Sequence, residues 1–267
     1  MQRMKPVLVI GAGGGMGRAC VKQLQIDGYR VIGLDRSMDS IPDGCERYAA
    51  DVTRADDLNA AFDAVKTCTD TLDAIVYATG IYDMDSLVEI DEARFTGIFD
   101  VNVFGAYRAV KAFLPLLKQG SRVVLITSEL APLDPLPFTG LYGITKGTLE
   151  GYAFSLAIEL QLLGITVSVI RPGAVETPLL AQSVTSIKAF TEATELYPGQ
   201  AARFLRVTEK VESKSVPPEA IAAKVRVVLH TKHPRYLYKL NRNPLLLLFG
   251  ALPKQWQLGI IKRFLGR

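Results

Sequence analysis

Short runs of consecutive apolar, β-branched residues recur along the chain at 7–10, 30–34, 74–77, 123–127 and 166–171. A weaker candidate lies at 47–50 and a last one at 236–240. Between them run longer stretches with the three-to-four-residue apolar spacing of amphipathic helices, at 17–27, 56–67, 91–118, 141–163 and 218–229. Strands that are apolar at every position, rather than at every second one, are what a parallel sheet needs when helices cover both faces. The alternation therefore predicts one doubly wound α/β domain with about seven parallel strands. Two connections break the regularity: 129–140 is rich in Pro and Leu, and 174–217 is a 44-residue excursion. Both leave the sheet edge where α/β folds bind ligands, and the longer one is expected to form a helical lid within 178–217.

Composition narrows the classes. The chain has 267 residues, 49% of them hydrophobic, which suffices for a well-buried core and excludes disorder and collagen-like repeats. The apolar run 245–249 is far shorter than the roughly 18–20 residues that cross a bilayer as a helix. Three cysteines, Cys20, Cys45 and Cys68, form no CxxC, and the first strand begins too early for a signal peptide, so a reducing, cytoplasmic side is expected. Neither HExxH nor GxSxG occurs, which sets aside a zinc protease or a serine hydrolase, and no metal site is expected.

Charge is unevenly placed. The net charge is +4, yet residues 220–267 hold ten Lys/Arg and no Asp or Glu, so the rest of the chain is net acidic. Nucleic acid would not need the apolar residues interleaved with these charges, whereas an anionic membrane surface would use both. Read as a helix from Pro253, the tail places Trp256, Ile260 and Phe264 along one row, with Ile261 and Leu265 beside it and Lys262 and Arg263 opposite. That stripe suits a peripheral membrane anchor, and it equally suits packing on the protein's own core or on a second subunit. Residues 1–240 are read as the main domain and 241–267 as a basic, Leu-rich extension.

After the first strand stands Gly11-Ala-Gly-Gly-Gly15-Met16-Gly17, where missing side chains let the backbone turn tightly and approach a pyrophosphate at a helix N-terminus. The spacing is G-x-x-x-G-x-G rather than GxGxxG. Eighteen residues beyond Gly17, at the end of the second strand, lies Asp35. A carboxylate there accepts hydrogen bonds from the ribose hydroxyls of NAD and repels the 2′-phosphate of NADP, although the neighbouring Arg36 could partly neutralise a phosphate. NAD is favoured.

Tyr-x-x-x-Lys occurs twice, at Tyr107/Lys111 and Tyr142/Lys146, and with ten tyrosines and fourteen lysines such a pair carries little weight alone. Context separates them. Tyr142 begins the helix that follows the fifth strand, whose end carries Ser128, so a hydroxyl and a phenol can meet at the sheet edge. Tyr107 lies inside a helix with no serine at comparable spacing and is read as a surface or packing pair.

With these residues in place the sequence resembles the short-chain dehydrogenase/reductase family over roughly residues 5–240. Gly11, Gly15 and Gly17, with Met16, match its cofactor loop, and Asp51-Val52 matches the pair that holds adenine. Asn102 matches its catalytic asparagine, and Ser128, Tyr142 and Lys146 match its serine, tyrosine and lysine, with Thr127 as the alternative to Ser128. Pro172, Gly173 and Thr177 match the PGxxxT turn that holds the nicotinamide carboxamide. Departures are Ile10 before the first glycine, a Ser-to-Tyr spacing of fourteen, and Tyr77-Ala-Thr-Gly80 where Asn-Asn-Ala-Gly is common.

The resemblance implies a Rossmann-type fold, a nicotinamide cofactor and a homodimer or homotetramer formed through the helices of Asn102 and Tyr142. Tyr142 is the expected base, its usual pKa of about 10 lowered by Lys146 and the nicotinamide charge. Ser128 would orient the substrate oxygen, Lys146 would also hold the ribose, and Asn102 would position a water. Pocket walls are expected from Pro132, Leu133, Leu136, Phe138, Leu180, Phe190 and Phe204, which suit a lipophilic alcohol or ketone of steroid, retinoid or long-chain type. Two rivals are an NAD-binding regulator or lipid-surface scaffold without turnover, and an S-adenosylmethionine methyltransferase on a related sheet.

Overall fold

The fold was analysed from a computed structural model that describes residues 5–133, 136–212 and 215–266. Parts of the expected regions lie outside the described residues: 1–4 of the main domain, 134–135 of the expected pocket wall, 213–214 of the lid and 267 of the tail.

Seven strands form one sheet: β1 (Pro6–Ile10), β2 (Arg30–Asp35), β3 (Glu46–Ala49), β4 (Leu72–Tyr77), β5 (Leu117–Ile126), β6 (Thr166–Pro172) and β7 (Leu237–Leu240). Their order is β3-β2-β1-β4-β5-β6-β7, and every adjacent pair is parallel. The helices are α1 (Gly15–Ile26), α2 (Ala55–Cys68), α3 (Glu92–Phe99), α4 (Gly105–Phe113), α5 (Gly140–Leu160), α6 (Pro178–Ala193), α7 (Pro198–Glu212), α8 (Glu219–His230), α9 (Pro244–Gly250) and α10 (Lys254–Leu265).

The unbroken apolar strands are explained by two cores, one on each face. In β1, Leu8 and Ile10 pack with Leu58, Val110, Phe113 and Leu149 from α2, α4 and α5. Their neighbours Val7 and Val9 point the other way, against Val21 and Leu24 of α1 and Ile221 and Val225 of α8. Side chains alternate across a strand, so both faces can be buried only if every position is apolar. Chain order reverses between β1 and β4, and the crevice at their C-terminal ends is where such sheets take a ligand.

Three boundaries differ from the sequence reading. The long helix expected over 91–118 is broken: α3 passes into a π-helical turn, Asp100–Phe104, then α4, then a 3₁₀ turn at Leu114–Leu116. Pro115 supplies no N–H to continue the helix, and β5 has begun by Leu117, so Lys118 lies in a strand. The first helix starts at Gly15, two residues before Gly17. The tail holds an additional short helix, α9, ahead of the expected α10.

The long excursion expected to form a lid folds into two helices, α6 and α7. Its own small core gathers Ile187, Phe190, Ala201 and Phe204 around Met84 from the β4–α3 connection.

Candidate active site

Two cavities meet at the C-terminal edge of the sheet. The first, of about 490 Å³, lies over the β1/β4 reversal and is lined by Gly11, Asp35, Arg36, Asp51, Val52 and Gly80, among others. Gly11 takes φ +81° to turn the chain out of β1. Gly17 packs against that turn so closely that a Cβ on it would stand 1.9 Å from the Gly11 carbonyl oxygen. Gly14 caps α1 with no side-chain hydrogen bond, which leaves the first-turn N–H groups of the helix to an anion. Asp35, at the end of β2, takes the Gly13 N–H at 2.9 Å and so holds its carboxylate at the cavity rim. Asp51 accepts from the backbone and hydroxyl of Thr53, which fixes the loop after β3. A glycine cradle, an uncapped helix terminus and a rim carboxylate fit the pyrophosphate and ribose of a dinucleotide.

The second cavity, of about 150 Å³, is apolar. Ser128, Tyr142 and Thr177 stand at its inner end, with Met16, Pro172 and Gly173 beside them. Met16 thus faces this cavity rather than the nucleotide cleft. Gly15, which does not line the cleft, packs against Thr177, where a Cβ would come within 2.7 Å of the Thr177 methyl. Of the expected walls, Leu136, Leu180 and Phe204 line the cavity. Phe138 and Phe190 pack behind them, ring against ring at 4.7 Å. Pro132 and Leu133 do not line it, and Leu133 instead abuts Gly250 at the end of α9.

The four residues expected to carry the chemistry cluster here, with Ser128 and Tyr142 lining the apolar cavity and Lys146 and Asn102 against Gly80 of the cleft. Ser128 lies two residues past β5, and Tyr142 and Lys146 sit one turn apart near the start of α5. Tyr142 and Lys146 are buried, with the Lys146 ammonium 5.6 Å from the centre of the phenol ring. Burial pushes the Tyr142 phenol above its usual pKa, and a hydrogen bond with the Ser128 hydroxyl pulls it partway back. Burial also pushes the Lys146 ammonium down to about 8. The lowered phenol pKa expected from Lys146 together with the nicotinamide charge is therefore not a property of the protein's own groups, in which desolvation dominates.

Asn102 sits in the π-helical turn and is fully buried. Its amide pairs with Ile81 in both directions: Oδ1 accepts the Ile81 N–H at 2.9 Å, and Nδ2 donates to the Ile81 carbonyl at 3.0 Å. Nδ2 also donates to the Thr145 hydroxyl at 3.1 Å, which in turn donates to the Tyr142 carbonyl at 2.8 Å. One side chain thus ties the loop after β4 to the helix turn that carries Tyr142. Such π turns are common at functional sites, since the extra residue re-aims a side chain. Gly80 closes the group: a Cβ there would lie 3.1 Å from Lys146 Nζ and 3.4 Å from Asn102 Oδ1. The departure at Tyr77 has a structural use, its buried phenol donating to the Val101 carbonyl at 3.0 Å beside the π turn.

The residues that sequence reading missed are those brought in by tertiary packing. Tyr82 lays its ring 4.1 Å from that of Tyr142, Thr145 links Asn102 to α5, and Met84 and Leu246 complete the apolar walls. Glu129, buried beside Ser128, accepts the Asn243 N–H at 2.7 Å and so fixes the start of α9. Burial raises its pKa, and the Asn243 N–H and the Arg242 charge pull the other way. The local signals for these were Thr145, one helical turn after Tyr142, and Glu129, next to Ser128 in the chain.

The second pair is elsewhere. Tyr107 and Lys111 lie exposed on α4, with Lys111 Nζ donating to the Tyr107 hydroxyl at 3.1 Å.

With this geometry in view, comparisons with known proteins are specific. The pattern of the short chain dehydrogenase family matches residues 5–188. A 3-ketodihydrosphingosine reductase from Bacteroides thetaiotaomicron is 25% identical, covering 94% of this chain and 92% of that protein. The human 17-beta-hydroxysteroid dehydrogenase type 1 is 30% identical over 67% of this chain and 54% of its own length. Among solved structures, a short-chain dehydrogenase from Streptomyces avermitilis superposes with a TM-score of 0.77 at 24% identity, covering 98% and 94% of the two chains.

Proposed function

The chain belongs to the short-chain dehydrogenase/reductase family and is an NAD(P)-dependent oxidoreductase, and on that premise we propose that it interconverts a lipophilic secondary alcohol and its ketone with NAD as the preferred cofactor. The observation that carries the reading is that Ser128 and Tyr142 line an apolar cavity while Lys146, one turn on from Tyr142, stands against Gly80 of the nucleotide cleft. A bound nicotinamide supplies the hydride acceptor or donor.

The protein's own residues handle the proton. Tyr142 takes it from the alcohol oxygen in oxidation and returns it in reduction. Ser128, already hydrogen-bonded to the phenol, orients the substrate oxygen beside it. Lys146 adds positive charge one turn away and holds the cofactor's ribose. Asn102 acts on position, keeping the β4 loop and α5 in register, and would place a water against the same group. In the cofactor loop, Gly11, Gly15, Met16 and Gly17 admit the pyrophosphate and nicotinamide end. Asp51, Val52 and Gly80 line the adenine and ribose side, and Pro172, Gly173 and Thr177 hold the carboxamide.

Asp35 supports NAD, since its charge at the rim repels a 2′-phosphate. The lipophilic substrate is supported by the walls, Leu130, Leu136, Leu180, Phe204 and Leu246, and by the names of the two curated relatives. Exposed apolar residues, Phe104 at the end of the π turn and Phe154 and Ile158 on α5, support self-association through the helices of Asn102 and Tyr142. Residues 1–240 form the cofactor-binding body in this reading and 241–267 an extension of it. Three unpaired cysteines agree with a reducing, cytoplasmic location. The test is turnover over steroids, retinoids, aliphatic alcohols, sugars and hydroxy acids, with NAD and NADP in parallel. Activity with lipophilic secondary alcohols and a lower KM for NAD is expected. Turnover confined to small polar substrates overturns the pocket reading, and a preference for NADP overturns the role of Asp35.

A further inference from the structure

The tail contradicts the simplest rule of folding, that apolar side chains added to a domain turn inward. Its helix α10 is docked: Gln257, Ile261 and Leu265 form one i, i+4 row, Gln257 is buried, and Leu265 joins the lid cluster while its carbonyl accepts from Arg203 at 2.8 Å. The neighbouring row expected to be a single apolar stripe with it is half-buried at Ile260 and uncovered at both ends, where Trp256 is 65% exposed and Phe264 73%. On α9 the division is sharper. Leu246 lines the substrate cavity, while Leu245 and Leu248 are exposed at 72% and 66%. A seven-residue helix thus separates the cavity from the outer surface by its own thickness.

Charge selects what covers this surface. The segment that carries it, 241–267, holds five Lys/Arg and no acidic residue. Lys262 and Arg263 lie exposed in the last turns of α10. A face formed for a second copy of the chain would meet the same cationic excess and repel it, whereas anionic headgroups complement it. Among the described residues no helix is long and apolar enough to cross a membrane, so contact of this kind lies in the interfacial plane.

We propose that α9 and α10 lay the protein on an anionic lipid bilayer, so that a lipophilic substrate passes from the lipid to the reaction site past Leu246. The docking half stands on the exposed residues and charge alone, and the delivery half rests on the substrate reading above.

Trp256 is the chain's only tryptophan and therefore reports the contact directly. Full-length protein is mixed with vesicles of phosphatidylcholine alone or with phosphatidylserine, and flotation and tryptophan emission are read together. Co-flotation and a blue shift with the anionic vesicles, both reversed by salt, are expected. The variant Leu248→Ser/Phe264→Ser, which keeps Trp256, should bind these vesicles about tenfold more weakly or less still. It should keep wild-type kcat on a short water-soluble alcohol, which also shows that it folds, and lose turnover of alcohol presented in the bilayer. No flotation and unchanged emission would overturn the docking. So would emission that depends on protein concentration without vesicles, in step with a sedimenting dimer that the double variant abolishes, since the face would then be a subunit contact. Docking with equal turnover of bilayer-borne alcohol by both proteins would overturn delivery only. Docking by a protein that turns over no alcohol at all would leave the membrane contact standing and strike the substrate reading.

Discussion

Tyr107/Lys111 and Tyr142/Lys146 are the same four-residue phrase on two helices, and their geometry is almost the same. The ammonium stands 5.5 Å from the ring centre in the first pair and 5.6 Å in the second. What differs is the surrounding medium. The α4 pair is in water, where its members hydrogen-bond each other directly and any charge is screened. The α5 pair is buried between two cavities, with Ser128 as the phenol's partner and Asn102, Thr145 and Tyr82 fixing the helix turn. Spacing along a helix brings two groups together; only desolvation and a third group make them chemically consequential.

The comparison breaks first at Tyr142. Tyr142→Phe keeps the ring and removes the proton carrier, so kcat should fall by about 10²–10⁴-fold, while NADH affinity, read by fluorescence titration, stays near wild type. Retained turnover would remove Tyr142 from the chemistry.

Lys146→Met tests the medium itself. Oxidation needs the deprotonated phenol, so kcat/KM should rise with pH in the wild type, and loss of the ammonium should move that rise to higher pH. Stability should respond with the opposite benefit. The folded-state pKa of about 8 lies below the ordinary 10.5, so burying the ammonium costs stability in full below about pH 8, and the cost fades as pH rises towards 10.5. At pH 7 the cofactor-free variant should gain about 1–3 kcal/mol, read as a higher Tm, and the gain should shrink by pH 10. An equal Tm difference at both pH values would sink the burial argument.

The smallest effect belongs to α4. Tyr107→Phe and Lys111→Met should each leave kcat and the pH profile within about twofold, since an exposed pair of this kind contributes well under 1 kcal/mol. A shift of the profile by either would erase the distinction between the two pairs.

The strands, the glycine turn and the nearness of Ser128, Tyr142 and Lys146 were legible because each depends on spacing along the chain. Alternate positions of β1 feed two cores, and a phenol and an amine four apart share a helix face. Tyr82, Met84 and Leu246 were not legible, because they reach the site from connections whose paths follow from packing, and Glu129, although next to Ser128, was not legible because its partner Asn243 is 114 residues away. The break at Asp100–Phe104 was hidden for a related reason: nothing in the residues 91–118 states that Asn102 must turn towards Ile81 and Thr145. The charge asymmetry of the tail was plain in the sequence, yet which of its apolar residues face inward could be read only once α7 was in place.

The carboxylate of Glu129 gives the site a mechanical character. It adjoins Ser128 in the chain and grips the backbone from which α9 springs, so the proposed reaction bench and the proposed doorway to it share a single hinge pin. A tail grafted from a relative to change the clientele of this protein would have to carry a matching N–H at the place of Asn243, or the newcomer would hang loose from the floor it was meant to serve.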